Sequence, residues 1–163
     1  MTKPVLQALV LADQLYQDKD TGKMVIAGTF TKYIVSQQKR ETDGTEVEKE
    51  NEEREQLPQI GNMPIIGKSG SPFAYICLTD VREEANLELR YVDLTDNTVL
   101  IKVDLNVRCK DPLQAVELKI PLPQLPCRHF GAYALELLCE DELLGSWRVT
   151  VTSAEDLPER EKT

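Results

Sequence analysis

Three short stretches of this chain hold residue types at spacings that chemistry uses. Cys127-Arg128-His129 sets a thiol and an imidazole two positions apart, on one side of the backbone if the segment is extended. A neighbouring imidazole can take the thiol proton and leave a nucleophile. Such a site also needs a third group to orient the base, and no such partner is identifiable nearby. His129 is the only histidine, so no site with several histidine ligands can form. Gly61-Asn62-Met63-Pro64-Ile65-Ile66-Gly67-Lys68-Ser69 comes close to the phosphate-cradling pattern G-x-x-x-x-G-K-[ST]. It has one residue too many between the glycines, and Gly70-Ser71-Pro72 opposes the helix whose first amides would face the phosphates. An ordinary glycine-rich loop is the expectation. Asp18-Lys19-Asp20-Thr21-Gly22 looks like the start of a calcium loop, but the glycine comes one position early and no glutamate closes the loop. A hairpin loop is expected there.

The elements that would position these groups announce themselves by alternation. Val99, Ile101, Val103, Leu105 and Val107 alternate with a side that carries Lys102, Asp104, Asn106 and Arg108. Val116, Leu118, Ile120 and Leu122 repeat the pattern, as do Tyr133, Leu135, Leu137 and Cys139, then Leu143, Trp147, Val149 and Val151. Side chains on a strand point to alternate faces, so these are half-buried antiparallel strands. Strands are expected at 4–16, 24–35, 73–81, 87–94, 99–108, 115–122, 132–140 and 143–152. The fold class is therefore all-β, a single antiparallel β-sandwich of about eight strands. Gly28, inside the second strand, marks a bulge or a close backbone approach. The strand at 73–81 is apolar on both faces and should be central.

Between the second and third strands lies a long charged insertion. From Ser36 to Leu57 acidic side chains outnumber Lys39, Arg40, Lys49 and Arg54, and almost nothing is apolar. Such composition buries too little surface to offset chain ordering. A mobile insertion is favoured over an exposed helix at 45–57 supported by pairs such as Glu50–Arg54. Residues 58–72 continue as an irregular loop. The domain is read as 1–152, including the 36–72 insertion, followed by a charged tail at 153–163 that should fray.

Composition excludes some function classes. Among 163 residues, 28 acidic and 19 basic side chains leave a net charge of −9. That opposes general nucleic-acid binding, which depends on Lys and Arg neutralising phosphates, and docking on anionic membranes. No segment is long and apolar enough to span a bilayer, and the start of the chain makes a poor signal peptide, so a cytoplasmic location is expected. Cys77, Cys109, Cys127 and Cys139 form no C-x-x-C, and no metal or cofactor is expected. Buried reduced thiols suit that compartment, while a Cys109–Cys139 disulfide would require an oxidising one.

The first and last hairpins also carry a resemblance. Ala8-Leu9, Asp13-Gln14-Leu15-Tyr16, Thr21-Gly22-Lys23 and Gly28-Thr29-Phe30 form one half of it. Gly131-Ala132-Tyr133, Glu136-Leu137 and Asp141-Glu142-Leu143-Leu144 form the other. Together they resemble an uncharacterised family of small bacterial β-sandwich proteins, a domain of unknown function. The resemblance implies a bacterial cytoplasmic setting and brings no catalytic residues with it.

These readings converge on a non-enzymatic protein-interaction or structural module. Met63, Pro64, Ile65 and Ile66 form a short apolar cluster inside the charged insertion, suited to a protein partner or to a second copy of the chain. Equally, Ile65 and Ile66 would serve to cover the end of the core. The alternative is a small-ligand or carbohydrate-binding sandwich with its site in the loops 17–22, 61–72 and 124–131, where Phe130 is the sole aromatic. An enzyme built on Cys127 and His129 ranks third.

Overall fold

The computed structural model describes residues 2–35, 59–60, 63–64 and 66–156. Its strands are β1 (Val5–Gln17), β2 (Met24–Thr29), β3 (Lys32–Val35), β4 (Gln59–Ile60), β5 (Met63–Pro64), β6 (Gly67–Lys68) and β7 (Phe73–Thr79). They continue with β8 (Glu83–Asp93), β9 (Thr98–Cys109), β10 (Val116–Pro121), β11 (Pro126–Cys127), β12 (Gly131–Cys139) and β13 (Glu142–Ser153). A 3-10 turn at Ala154–Asp156 follows β13, within what reads as tail. The charged stretch 36–57, and the remainder of the tail, lie outside the described residues. The chain is all-β, as the alternation leads one to expect. Among the described residues no helix is long and apolar enough to cross a membrane.

Two principal sheets hold most of these strands, in the orders β10-β7-β1-β2 and β3-β13-β12-β8-β9. Inward residues of both meet in one cluster. Leu9, Leu11, Ile76 and Leu78 come from the first sheet, and Leu87, Leu89, Leu135, Leu137, Val149 and Val151 from the second. Burying these side chains supplies the driving force, at roughly 25 cal/mol per Å² of apolar surface removed from water. As its two apolar faces suggest, β7 is central, between β1 and β10.

Alternation over-simplifies two strands. The stretch 24–35 is not one strand but two, on different sheets: β2 pairs antiparallel with β1, and β3 pairs parallel with β13. Gly28 has φ +70°, and a Cβ there would lie 3.0 Å from Asp13 Oδ2, so both the conformation and the close approach require glycine. Beyond it, Phe30 and Thr31 carry the chain across. The Trp147 indole N–H donates to Phe30 O at 2.9 Å, and Thr150 N donates to Thr31 O at 2.8 Å. In β1, pairing with β7 skips Gln7 between Leu6 and Ala8, a bulge that shifts the phase. Val5 therefore turns out to solvent while Leu9 and Leu11 turn in.

Candidate functional site

β8 runs inward-facing Leu87, Leu89 and Tyr91, and its parity next places Asp93 on that buried side. Asp93 sits directly opposite Tyr133 of β12, and both are fully buried. A buried carboxylate is costly unless paired and hydrogen-bonded. Its Oδ1 accepts from Thr95 N at 3.0 Å within the β8–β9 turn. Its Oδ2 accepts from Arg128 Nε at 3.1 Å and Nη2 at 2.8 Å. The same guanidinium reaches both Asp96 oxygens, at 2.8 and 2.7 Å. His129 Nε2 lies 2.7 Å from Asp93 Oδ2 but without the alignment of a hydrogen bond, so that contact is one of proximity. The other ring nitrogen, Nδ1, is 3.0 Å from Phe130 O.

Tyr133 ties the residues after β11 to this corner. Its hydroxyl accepts from Arg128 N at 3.1 Å and His129 N at 3.2 Å and donates to His129 O at 2.7 Å. Its ring stacks on Tyr91 at 5.5 Å and on His129 at 5.7 Å. Tyr33 of β3 brings its hydroxyl to 3.4 Å from that of Tyr91, so the corner reaches across to the last strand of the same sheet.

The electrostatics follow from these contacts. Burial raises the Asp93 pKa, but Thr95 N–H, the Arg128 guanidinium and the charge of His129 outweigh it and hold the carboxyl below its usual range. Asp96 is pulled down to about 2, first by Arg128 and then by Thr98. Arg128 is pushed up by the two carboxylates. Burial pushes the Cys127 thiol up. Cys127 Sγ is fully buried and donates to the main-chain oxygen of His129 at 3.0 Å, not to its ring. Asp93 is thus the carboxylate beside the imidazole that the sequence did not reveal, but it makes no hydrogen bond to the ring, and the thiol is neither accessible nor coupled to the imidazole. A thiolate nucleophile requires both. What the arrangement does chemically is lock charges together. All four cysteines are free.

The other motifs resolve into local structure. β6 pairs antiparallel with β11, Gly67 opposite Cys127, and no helix follows it. A Cβ on Gly67 would come within 2.2 Å of Val35 Cγ1, so this glycine serves a close approach to the core and no phosphate cradle is built on it. In the β1–β2 loop the Asp18 carboxylate accepts from Asp20 N at 2.9 Å and Thr21 Oγ1 at 3.0 Å, and Gly22 has φ +71°. It is a hairpin loop whose acid is spent on its own turn. Among the described residues no three His, Cys, Asp or Glu side chains are grouped to hold a metal ion.

Of the apolar quartet, Met63 and Pro64 form β5, which pairs with β4, and Ile65 lies outside the described residues. Ile66 is 38 % exposed, and its N–H donates to Cys127 O at 2.8 Å. Ser69 N donates to Leu125 O at 3.0 Å, and Ser69 Oγ accepts from Leu125 N at 3.0 Å. Residues 66–69 are therefore stapled to β11 and Leu125, next to Arg128. A shallow depression of about 330 Å³ lies elsewhere, on the outer face of β8 and β9, lined by Asn86, Glu88, Asp104 and Asn106 and without aromatics. No family model matches the chain, and no curated protein matches it in sequence.

Proposed function

We propose that this chain is a non-enzymatic protein-interaction module built on one β-sandwich, with the segment Met63–Ile66 as a contact for another protein. One observation carries the reading. Ile66 is an exposed aliphatic side chain on a backbone hydrogen-bonded to β11, and an anchored apolar group loses little freedom on binding. The sandwich itself is supported by the core shared between two sheets and by Tyr133, whose hydroxyl bonds back to the backbone of Arg128 and His129 in the manner of a tyrosine corner. The resemblance to small bacterial β-sandwich proteins is in keeping with this reading and names no activity. Cys127 and His129 support a structural role, because the thiol is buried and its proton is given to a carbonyl.

The test compares wild type with Ile66→Asp as bait after chemical crosslinking in cells. A partner captured by the wild type and lost with the variant, at equal thermal stability, supports the reading. An unchanged set of crosslinked partners overturns it.

A further inference from the structure

Each principal sheet ends on a strand with one neighbour only. Among the described residues β9 is hydrogen-bonded in its sheet to β8 alone, and β10 to β7 alone. Residues 110–115 connect β9 to β10, so the two bare edges lie on the same side of the molecule. On the opposite side, Phe30 and Thr31 cross from β2 to β3 and link the sheets. The inward rows at the open side, Ile101, Val103 and Leu105 on β9 and Val116, Leu118 and Ile120 on β10, are only partly buried against the core. A bare edge with aliphatic residues at alternate positions is a template for another strand.

The outward row of β9 identifies that strand. In antiparallel pairing, directly opposed residues share a face, so aliphatic must meet aliphatic and polar must meet polar. About a two-fold axis at Val103, Ile101 meets Leu105 of the partner subunit, and Lys102 meets Asp104 of the partner subunit, twice by symmetry. Moving the axis to Lys102 or to Asp104 sets like charges opposite each other, which destabilises a pair. β10 repeats the pattern about Leu118. There Val116 meets Ile120 of the partner subunit and Glu117 meets Lys119 of the partner subunit, while axes at Glu117 or Lys119 oppose like charges. Lys102 is 53 % exposed and pairs in its own chain with Glu88, while Asp104 is 79 % exposed with Lys102 3.8 Å away, so Asp104 is free to take a second cation and Lys102 keeps an exposed ammonium to offer one. A uniformly acidic or basic partner would suit neither alternating row; a second copy of the same edge suits both. The pairable stretch is bounded by Leu100, the extra residue of a bulge in β9, and by Pro121, which has no N–H to donate.

We propose that the β9–β10 side is a homodimer interface, in which β9 pairs antiparallel with β9 of a second copy about Val103 and extends the five-stranded sheet across the two-fold axis. This surface is distinct from the Met63–Ile66 segment and does not rest on it.

Light scattering on wild type should give about twice the 18.4 kDa chain mass at micromolar concentration. D104K and K102D each oppose like charges across the axis and should weaken the dimer by on the order of tenfold or more. Mixed in equal amounts, the two variants have complementary rows and should recover a heterodimer visible by native mass spectrometry. A second measurement needs no variant: amide exchange of wild type should slow over Ile101–Leu105 as concentration rises. A wild type that stays monomeric, variants that dimerise like wild type, a mixture that does not reassociate, or exchange that ignores concentration would each overturn the proposal.

Discussion

The corner around Asp93 and the open side at β9 and β10 are both places where charge meets a strand, and they are built in opposite ways. At the corner every charge finds its partner within the chain. Arg128 is 6 % exposed, Asp93 is fully buried, and the guanidinium is shared between two carboxylates. At the edge Lys102 leans on Glu88 of its own chain yet stays half exposed, Asp104 stands in water, and among the described residues the strand's outer hydrogen-bonding groups have no strand beside them. The contrast follows from parity. Asp93 takes an inward position, where water cannot solvate it and the chain must. Lys102 and Asp104 take outward positions, where pairing inside the chain is optional and pairing outside it is open. Buried charge here organises the fold, and exposed charge is what the proposed dimer would use.

The sharpest way to break that comparison is to remove the buried acid. Asp93→Ala leaves the buried Arg128 with Asp96 as its one carboxylate and the Thr95 N–H without its acceptor, and should lower the unfolding free energy by about 3 kcal/mol, read from urea denaturation. The oligomeric state of whatever remains folded should be that of wild type. A loss near zero would mean that the corner is not the clasp described. Tyr133→Phe should cost less, about 2 kcal/mol, since it leaves the Arg128 and His129 amides and the His129 carbonyl without their shared partner. Its effect should be confined to stability, with no change in mass.

Acid titration sharpens the same point. Asp93 and Asp96 are held below the ordinary carboxylate pKa of 3.8, Asp96 down to about 2. A depressed folded pKa means that the unfolded chain binds protons first as pH falls. The stabilisation is complete above the unfolded value and is lost as pH drops through the folded one. The urea midpoint of wild type should therefore fall between about pH 4 and pH 2. Arg128→Met, which removes the guanidinium holding both carboxylates, should show a flatter decline over that window. Parallel curves would assign the acid response to other carboxylates.

How much of this was legible in the sequence differs between the two regions. The edge strands were plain, because alternation over 99–108 and 115–122 depends only on which side chains like water. The corner was half-visible. Cys127 and His129 stood out by type, whereas Asp93 looked like the polar end of a strand. Its signal was parity, since Leu87, Leu89 and Tyr91 lead to an inward position, and an acid there demands a cation from elsewhere. That Arg128 supplies it is a fact of topology, 35 residues away, and no local pattern encodes it. The split of 24–35 was hidden for a related reason: β2 and β3 are equally strand-like, and only the positive φ of Gly28 and the crossing at Phe30 separate them. Gly67 shows the converse. Its place in a phosphate-loop-like string is accidental, and the contact with Val35 that explains it joins segments far apart in sequence.

The smallest expected change in stability belongs to the edge, and it makes the comparison quantitative. Asp104→Lys should leave the unfolding free energy of the monomer within about 0.5 kcal/mol of wild type, as surface substitutions usually do. The measurement has to be made at a concentration too low for either chain to associate, because dimerisation stabilises the folded state by mass action and would add an apparent loss to the variant. As concentration rises the two denaturation midpoints should separate, wild type moving up and the variant staying behind. For Asp93→Ala the gap from wild type should be present already at the lowest concentration. A variant whose deficit is concentration-independent would place Asp104 with the clasp, as a residue that holds its own chain together and not one that meets a second copy.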